Sequence, residues 1–193
     1  MADAATHRPH PGRPAQLSRE RIVEAALSSG NLDELTMREL AGRLGASHSA
    51  LYRWVRNRDQ LFDLVSEVMV ERVLPPEGPD GRHWRAWLAQ VAWAMHDRFL
   101  AVPGYATRTS RPHRHAARPF ERLRREVVTA FAGAGVSPEL AEQSWYIFIT
   151  SVVSWLAIHE NPLDLGDAAP RFELFLDTLL RGLPAREPGV ERE

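Results

Sequence analysis

The chain has 193 residues, 44% of them hydrophobic and 25% charged, which is ordinary for a globular protein and allows one or two domains with a sizeable core. Its net charge of −1 argues against nonspecific coating of nucleic acid but not against a localised DNA footprint, and its lack of cysteine excludes disulfides and thiolate metal sites. No apolar run approaches the roughly 18 residues that a membrane span requires, and no signal-peptide core follows Met1, so a cytoplasmic protein without a membrane partner is expected.

Residues 1–16 are rich in Pro, Ala, Arg and His without periodicity and read as a disordered arm. It is either a solvated tail or a means of carrying Arg8 and Arg13 into a minor groove. A first helix is predicted from Ser18, with Leu17 and Ile22 as a hydrophobic staple, Ile22, Ala25, Ala26 and Ser29 on its apolar face, and Gly30 at its end. Thr36 and Glu39 form a capping box, so a second helix should open at Met37 and bury Met37, Leu40, Ala41 and Leu44. Gly45 stops it, because glycine enters a left-handed position without steric cost. Ser47 caps a third helix, in which Ala50, Leu51 and Val55 can pack inward while His48, Ser49, Arg53 and Trp54 point elsewhere. Two short helices meeting at a glycine turn make a helix-turn-helix, and the second fits a major groove.

Asn57, with Gln60 three residues on, opens a longer helix with Leu61, Leu64, Val65, Val68, Met69 and Val73 as its stripe. The Pro/Gly run at 75–81 breaks it. This break divides a domain at 17–75 from one at 76–185, with a tail at 186–193, and makes the 57–74 helix a lever between them. Beyond it the period stays helical. Residues 83–100 align Trp84, Trp87, Leu88, Val91, Met95 and Phe99. A short turn or helix can follow 102–105, and 106–118 read as a loop. Further helices are predicted at 116–132 (Phe120, Leu123, Val127, Phe131), at 137–159 (Ala141, Trp145, Phe148, Ile149, Val152, Val153, Leu156) and at 170–183 (Phe172, Phe175, Leu176, Leu179, Leu180). No strand period and no internal repeat occur.

Residues 36–58 hold five arginines against the single acid Glu39, a local charge of +4, and two capped helix N-termini able to present N–H groups to phosphates. All 24 basic residues are arginine, so every basic phosphate contact must be a guanidinium fork; a GC-rich genome accounts for the same bias. Arg38 can pair with O6 and N7 of guanine. The competing reading is a solvated basic face.

The segment LTMRELAGRLGASHSALYRWVRNRDQLFDLV fits LxxRxLAxxLGxxxxxLYxxVxNxxxLxxxV, and on it residues 17–75 resemble the DNA-binding domain of the TetR family of transcriptional regulators. The resemblance implies base-edge reading by Arg38, His48, Ser49 and Ala50, and phosphate contacts from Thr36, Ser47, Tyr52, Trp54 and Arg58. Arg53 joins the candidate DNA-binding set through the charge of the segment. The implied fold is all-α, an N-terminal three-helix helix-turn-helix domain joined by a linker helix to a helical ligand-binding and dimerisation domain. The implied partners are a second copy, through 137–159 and 170–183 as a four-helix bundle, and double-stranded DNA carrying a pseudo-palindromic operator.

The effector half is similar in layout to the tetracycline-repressor subgroup. However, Thr107 falls where a magnesium-holding histidine precedes that group's T-R-P turn, and Leu74 stands where another histidine belongs. Tetracycline is therefore not implied, and no metal or other cofactor is expected. Trp84, Trp87, Val91, Met95, Phe99, Tyr105, Trp145, Phe148, Val152 and Trp155 are the candidate lining for an apolar or aromatic small-molecule effector, with ordinary core packing as the alternative. Arg108, Arg111, Arg114, Arg118, Arg122, Arg124 and Arg125, with His113 and His115, form a basic run opposed by Glu121, either a mouth for an acidic group or a solvated face. No G-x-S-x-G, P-loop or dinucleotide fingerprint occurs, and His159-Glu160 lacks zinc-protease spacing, so no catalytic residue is assigned. A repressor released by a ligand is expected. The alternatives are a regulator without an effector, or a helical carrier or enzyme that merely contains a helix-turn-helix.

Overall fold

Local capping accounts for most of the helix starts. The computed structural model describes residues 17–111, 117–164, 166 and 170–187, and among these all regular structure is α-helical. The helices are α1 (Arg19–Leu27), α2 (Met37–Arg43), α3 (His48–Tyr52), α4 (Arg58–Val73), α5 (Trp84–Leu100), α6 (Tyr105–Ser110), α7 (Ala117–Gly133), α8 (Pro138–Glu160) and α9 (Phe172–Gly182). Ser18, Thr36, Ser47, Asn57 and Ser137 each accept a hydrogen bond from the backbone N–H three residues on, satisfying one of the donors a helix start leaves open. The expected arm at 1–16, including Arg8 and Arg13, lies outside the described residues, as does most of the tail.

α1, α2 and α3 close a small core of Ile22, Ala26, Leu40, Leu51 and Val55 around the start of α4. α4 packs on α1 and also on α5 and α7. That double contact corrects the expected single stripe: Phe62, Ser66 and Val70 are buried beside Leu61, Val65, Met69 and Val73, while Leu64 and Val68 are only half-buried. α8 packs on α5, α6 and α7, and α9 covers α5. No helix among the described residues is long and apolar enough to cross a membrane.

The expected loop at 106–118 is also corrected, since its first part is helical through Ser110. The basic run beside it is largely engaged within the fold. Arg108 pairs with Asp59, Arg111 with Asp33 at 2.8 Å, Arg122 with Glu71, Arg124 with Glu142 at 2.6 Å and Arg125 with Glu126 at 3.8 Å. Arg111, Arg122, Arg124 and Arg125 remain exposed, so these residues form a solvated face laced with ion pairs, and not a free anion mouth. His113, Arg114 and His115 lie outside the described residues, and so does the side chain of Arg118.

Tyr105 is buried where α4, α5 and α6 meet, its ring 5.3 Å from Phe62 and 4.6 Å from Phe99, and its hydroxyl donates to Oγ of Ser66 at 3.2 Å. Burial disfavours the phenolate and pushes this hydroxyl up to about 12, against the opposing hydrogen bonds of Ser66 and Thr109. Because the folded value lies above the ordinary 10.0, the stabilisation is intact below pH 10.0 and is lost as pH rises through about 12. Denaturant unfolding should therefore show stability falling over that alkaline window. Tyr105→Phe should flatten the fall while costing about 1 kcal/mol at neutral pH. An alkaline limb of the same slope in both proteins would refute the assignment.

Candidate nucleic-acid interface

Two short helices present the candidate DNA contacts, and their own buried faces hold them. In α2 the Thr36 hydroxyl accepts from the Glu39 N–H at 3.2 Å, and the Glu39 carboxylate accepts from the Thr36 N–H and hydroxyl at 2.8 Å each. Those two bonds from Thr36, backbone before side chain, hold the Glu39 carboxyl below its ordinary range. Gly45, at φ 61, ends the helix, and Ala46 N–H returns to the Ala41 carbonyl at 3.0 Å. Ser47 then caps α3, accepting from Ala50 N–H at 3.2 Å. Met37, Leu40, Ala41, Leu44, Leu51 and Val55 are buried beneath.

Outward of this core stand Thr36, Arg38, Ser47, His48, Ser49, Tyr52, Arg53, Trp54 and Arg58, all exposed, with Ala50 half-buried between them. α3 is shorter than the spacing suggested: Arg53 and Trp54 lie in the turn after Tyr52, where Trp54 N–H bonds the Leu51 carbonyl at 2.9 Å. Tyr52 is not a core aromatic. It is 39% exposed and its ring lies 4.5 Å from that of His48, one helical turn before it. Trp54, at 48% exposure, and Tyr52 form an amphipathic rim beside the arginines. Arg58 donates to the Asp33 carbonyl, so this expected phosphate contact also braces the loop before α2. A guanidinium has five N–H donors and can do both. Arg43 and Arg56 are exposed on the same segment and add to its positive field.

The ten candidate effector-lining residues do not form one wall. Trp84, Trp87, Val91, Met95, Phe99, Tyr105, Phe148 and Val152 are buried, and Trp145 and Trp155 are half-buried. Trp84 packs 5.8 Å from Phe131, which meets Phe148 at 6.4 Å; Phe99 and Tyr105 pair near α4. Trp155 instead joins Trp93, His96, Phe172 and Phe175 between α5, α8 and α9. Two open clefts stand out among the described residues. One, of about 1230 Å³, runs between α1 and α4 beside Ala101, Val102 and Arg122; the other, of about 350 Å³, lies between α5 and α9 beside Trp93. None of the ten residues lines either. Among the described residues no group of three or more His, Asp or Glu side chains is placed to hold a metal.

No family model matches the chain. Relatives and solved structures do. The chain is 39% identical over 93 residues to the HTH-type transcriptional repressor DrrR1 of Streptomyces coeruleorubidus, a match that covers 44% of this chain and 33% of that protein. It is 29% identical over 175 residues to the class C tetracycline repressor protein of Escherichia coli, covering 89% of this chain and 78% of the repressor. Its fold is similar to that of ActR, a TetR family protein of Streptomyces coelicolor solved in complex with (S)-DNPA. That superposition has a TM-score of 0.70 at 25% identity and covers 87% of this chain and 97% of ActR.

Proposed function

We propose that this chain, which belongs to the TetR family of transcriptional regulators, is a sequence-specific repressor that binds a pseudo-palindromic operator as a homodimer and leaves it on binding a small apolar or aromatic molecule. The observation that carries the reading is the exposed array of Arg38, His48, Ser49, Tyr52, Arg53 and Trp54 over a buried helix-turn-helix core. In this reading residues 17–75 form the DNA-binding head and 76–185 the effector and dimerisation body. Tyr146, Ile147 and Ile158 on α8 and Leu174 on α9 are exposed apolar side chains, and they support pairing through those two helices. The two copies of α3 would then meet successive major grooves about 34–36 Å apart. We assign no catalytic role, since the relatives named above are regulators.

A ligand held among residues 84–159 would favour a conformer whose heads are wrongly spaced, acting through α4. By linkage, ligand and operator would weaken each other's binding. The solved complex of ActR with (S)-DNPA supports ligand binding in this fold. The burial of the ten aromatic and aliphatic candidates away from both clefts favours a second reading, a regulator with no small-molecule effector. The deciding experiment is a titration of the purified protein with genomic fragments, including DNA upstream of its own gene, across a salt series, followed by a ligand screen on the site found. One tight site with a steep salt slope is expected, and a ligand that releases it separates the first reading from the second. Weak, uniform binding to every fragment would reject sequence-specific regulation.

A further inference from the structure

The turn before α6 and α6 itself are fastened at both ends by groups distant in sequence. α6 has no side-chain cap of its own. Tyr105 N–H bonds the Val102 carbonyl at 3.0 Å, and Glu160, the last residue of α8, holds the groups on either side: its carboxylate accepts from the N–H of Gly104 at 3.1 Å, the N–H of Thr107 at 2.8 Å and the Thr107 hydroxyl at 2.6 Å. Asn161 adds a bond from Nδ2 to Oγ1 of Thr107 at 2.6 Å. On its other side the same segment grips the loop that leads into α2. Leu32 N–H donates to the Pro103 carbonyl at 2.7 Å, and Arg111 pairs with Asp33. Gly104, at φ 80, lies so close to that loop that a Cβ would stand 2.7 Å from the backbone nitrogen of Asp33. Within the loop, Asn31 Oδ1 accepts from the Asp33 N–H at 2.9 Å, and Arg58 donates to the Asp33 carbonyl.

We infer that Glu160 is a positioning residue for the DNA-binding head: it holds α6, α6 holds the 31–35 loop, and that loop sets where Thr36 and Arg38 stand. This route is separate from the α4 lever. It joins the end of the long α8 helix through side-chain and backbone hydrogen bonds to the loop that runs directly into the capping box of α2. Glu160 touches none of the candidate DNA contacts. Neutralising it weakens three bonds at the start of α6 and leaves the loop less ordered, so the head must be ordered at the moment of binding, which lowers affinity. The effect on DNA rests on the operator reading above; the effect on the loop does not.

The test uses the full chain carrying Glu160→Gln, Arg111→Gln or both, with Glu142→Gln as the control that breaks the Arg124 ion pair between α7 and α8. Amide hydrogen exchange is read over 31–35, and operator affinity is titrated at fixed salt. Glu160→Gln should speed exchange at Leu32 and weaken operator binding by about three- to tenfold, although it sits in another helix. The double variant should bind no more weakly than the worse single one, because both act along one path. Glu142→Gln should change neither measurement. Unaltered exchange over 31–35 in Glu160→Gln, or effects of the two substitutions that multiply, would overturn the inference. If the unmodified chain finds no specific site, the repressor reading fails alone, and the exchange data still decide the role of Glu160.

Discussion

Leu174→Arg combined with Tyr146→Arg is expected to leave the chain folded, make it monomeric and weaken operator binding by about 10²- to 10⁴-fold. Tyr146 is 65% exposed on α8 and Leu174 is 55% exposed on α9, so neither contributes much to the core, and far-ultraviolet circular dichroism should barely change. α8 itself is long, 23 residues, with Phe148, Val152 and Leu156 fully buried on its inner side and Tyr146, Ile147 and Ile158 facing out. A helix apolar on both sides needs a second partner for the outer one, and in a symmetric pair that partner is the same surface of another copy. Like charges facing each other across a two-fold axis would then repel at close range. The loss on DNA follows from geometry, because one head on one half-site forfeits the effective concentration that the second head supplies. Light scattering coupled to size exclusion measures the first effect and an operator titration the second. A variant that remained dimeric would move the interface away from α8 and α9, and with it the predicted half-site spacing.

What could be read from the sequence was what is local. Ser18, Thr36, Ser47, Asn57 and Ser137 each act on a group three residues away, so the side chain and its partner appear together in one short window, and all five starts are found in the structure. The sequence allowed a short helix after 102–105 but read 106–118 as a loop, for the converse reason. The N–H groups of Gly104 and Thr107 at the start of α6 are satisfied by Glu160, more than fifty residues later in the chain, and no window contains both. The partners of the arginine run were hidden in the same way. Four of its acids, Asp33, Asp59, Glu71 and Glu142, stand on α2's leading loop, α4 and α8, and a count within the run found only Glu121, although Glu126 follows Arg125 directly. Exposed pairs of this kind contribute little stability each, and their value here lies in the elements they join.

Aromatic periodicity carried a different weakness. A stripe of Trp and Phe at helical spacing is the same whether it lines a cavity or fills one, because the period reports which face is inward and says nothing of the space beyond it. Trp84 and Phe148 proved to be packed through Phe131, and Trp155 belongs to a separate cluster with Phe172, which places one expected wall in two parts of the body. The candidate DNA contacts were more legible, since exposure on a three- or four-residue period is decided by the buried partners Leu40, Leu51 and Val55 in the same window. Even there the sequence overextended α3, placing Arg53 and Trp54 on a helix that ends at Tyr52.

Arg38→Ala should weaken binding to the true operator by about 1–3 kcal/mol and, more tellingly, relax the preference for one base pair in each half-site. Arg38 is exposed at the second position of α2, beyond the Thr36 cap, and makes no ion pair among the described residues, so its removal costs the fold little. Its guanidinium is therefore available for a two-point contact with guanine, which no other base pair reproduces. Arg56→Ala is the comparison. Arg56 is exposed in the same positive segment but lies after the turn that follows α3, and as a phosphate contact it should weaken all sequences alike. The two classes separate in a salt series on matched and single-substituted half-sites. Arg56→Ala should reduce the slope of log affinity against log salt by about 1 with specificity unchanged, whereas Arg38→Ala should flatten the specificity profile at one position. Identical uniform losses from both variants would mean that α2 only neutralises charge, and that base reading rests on His48 and Ser49 at the start of α3.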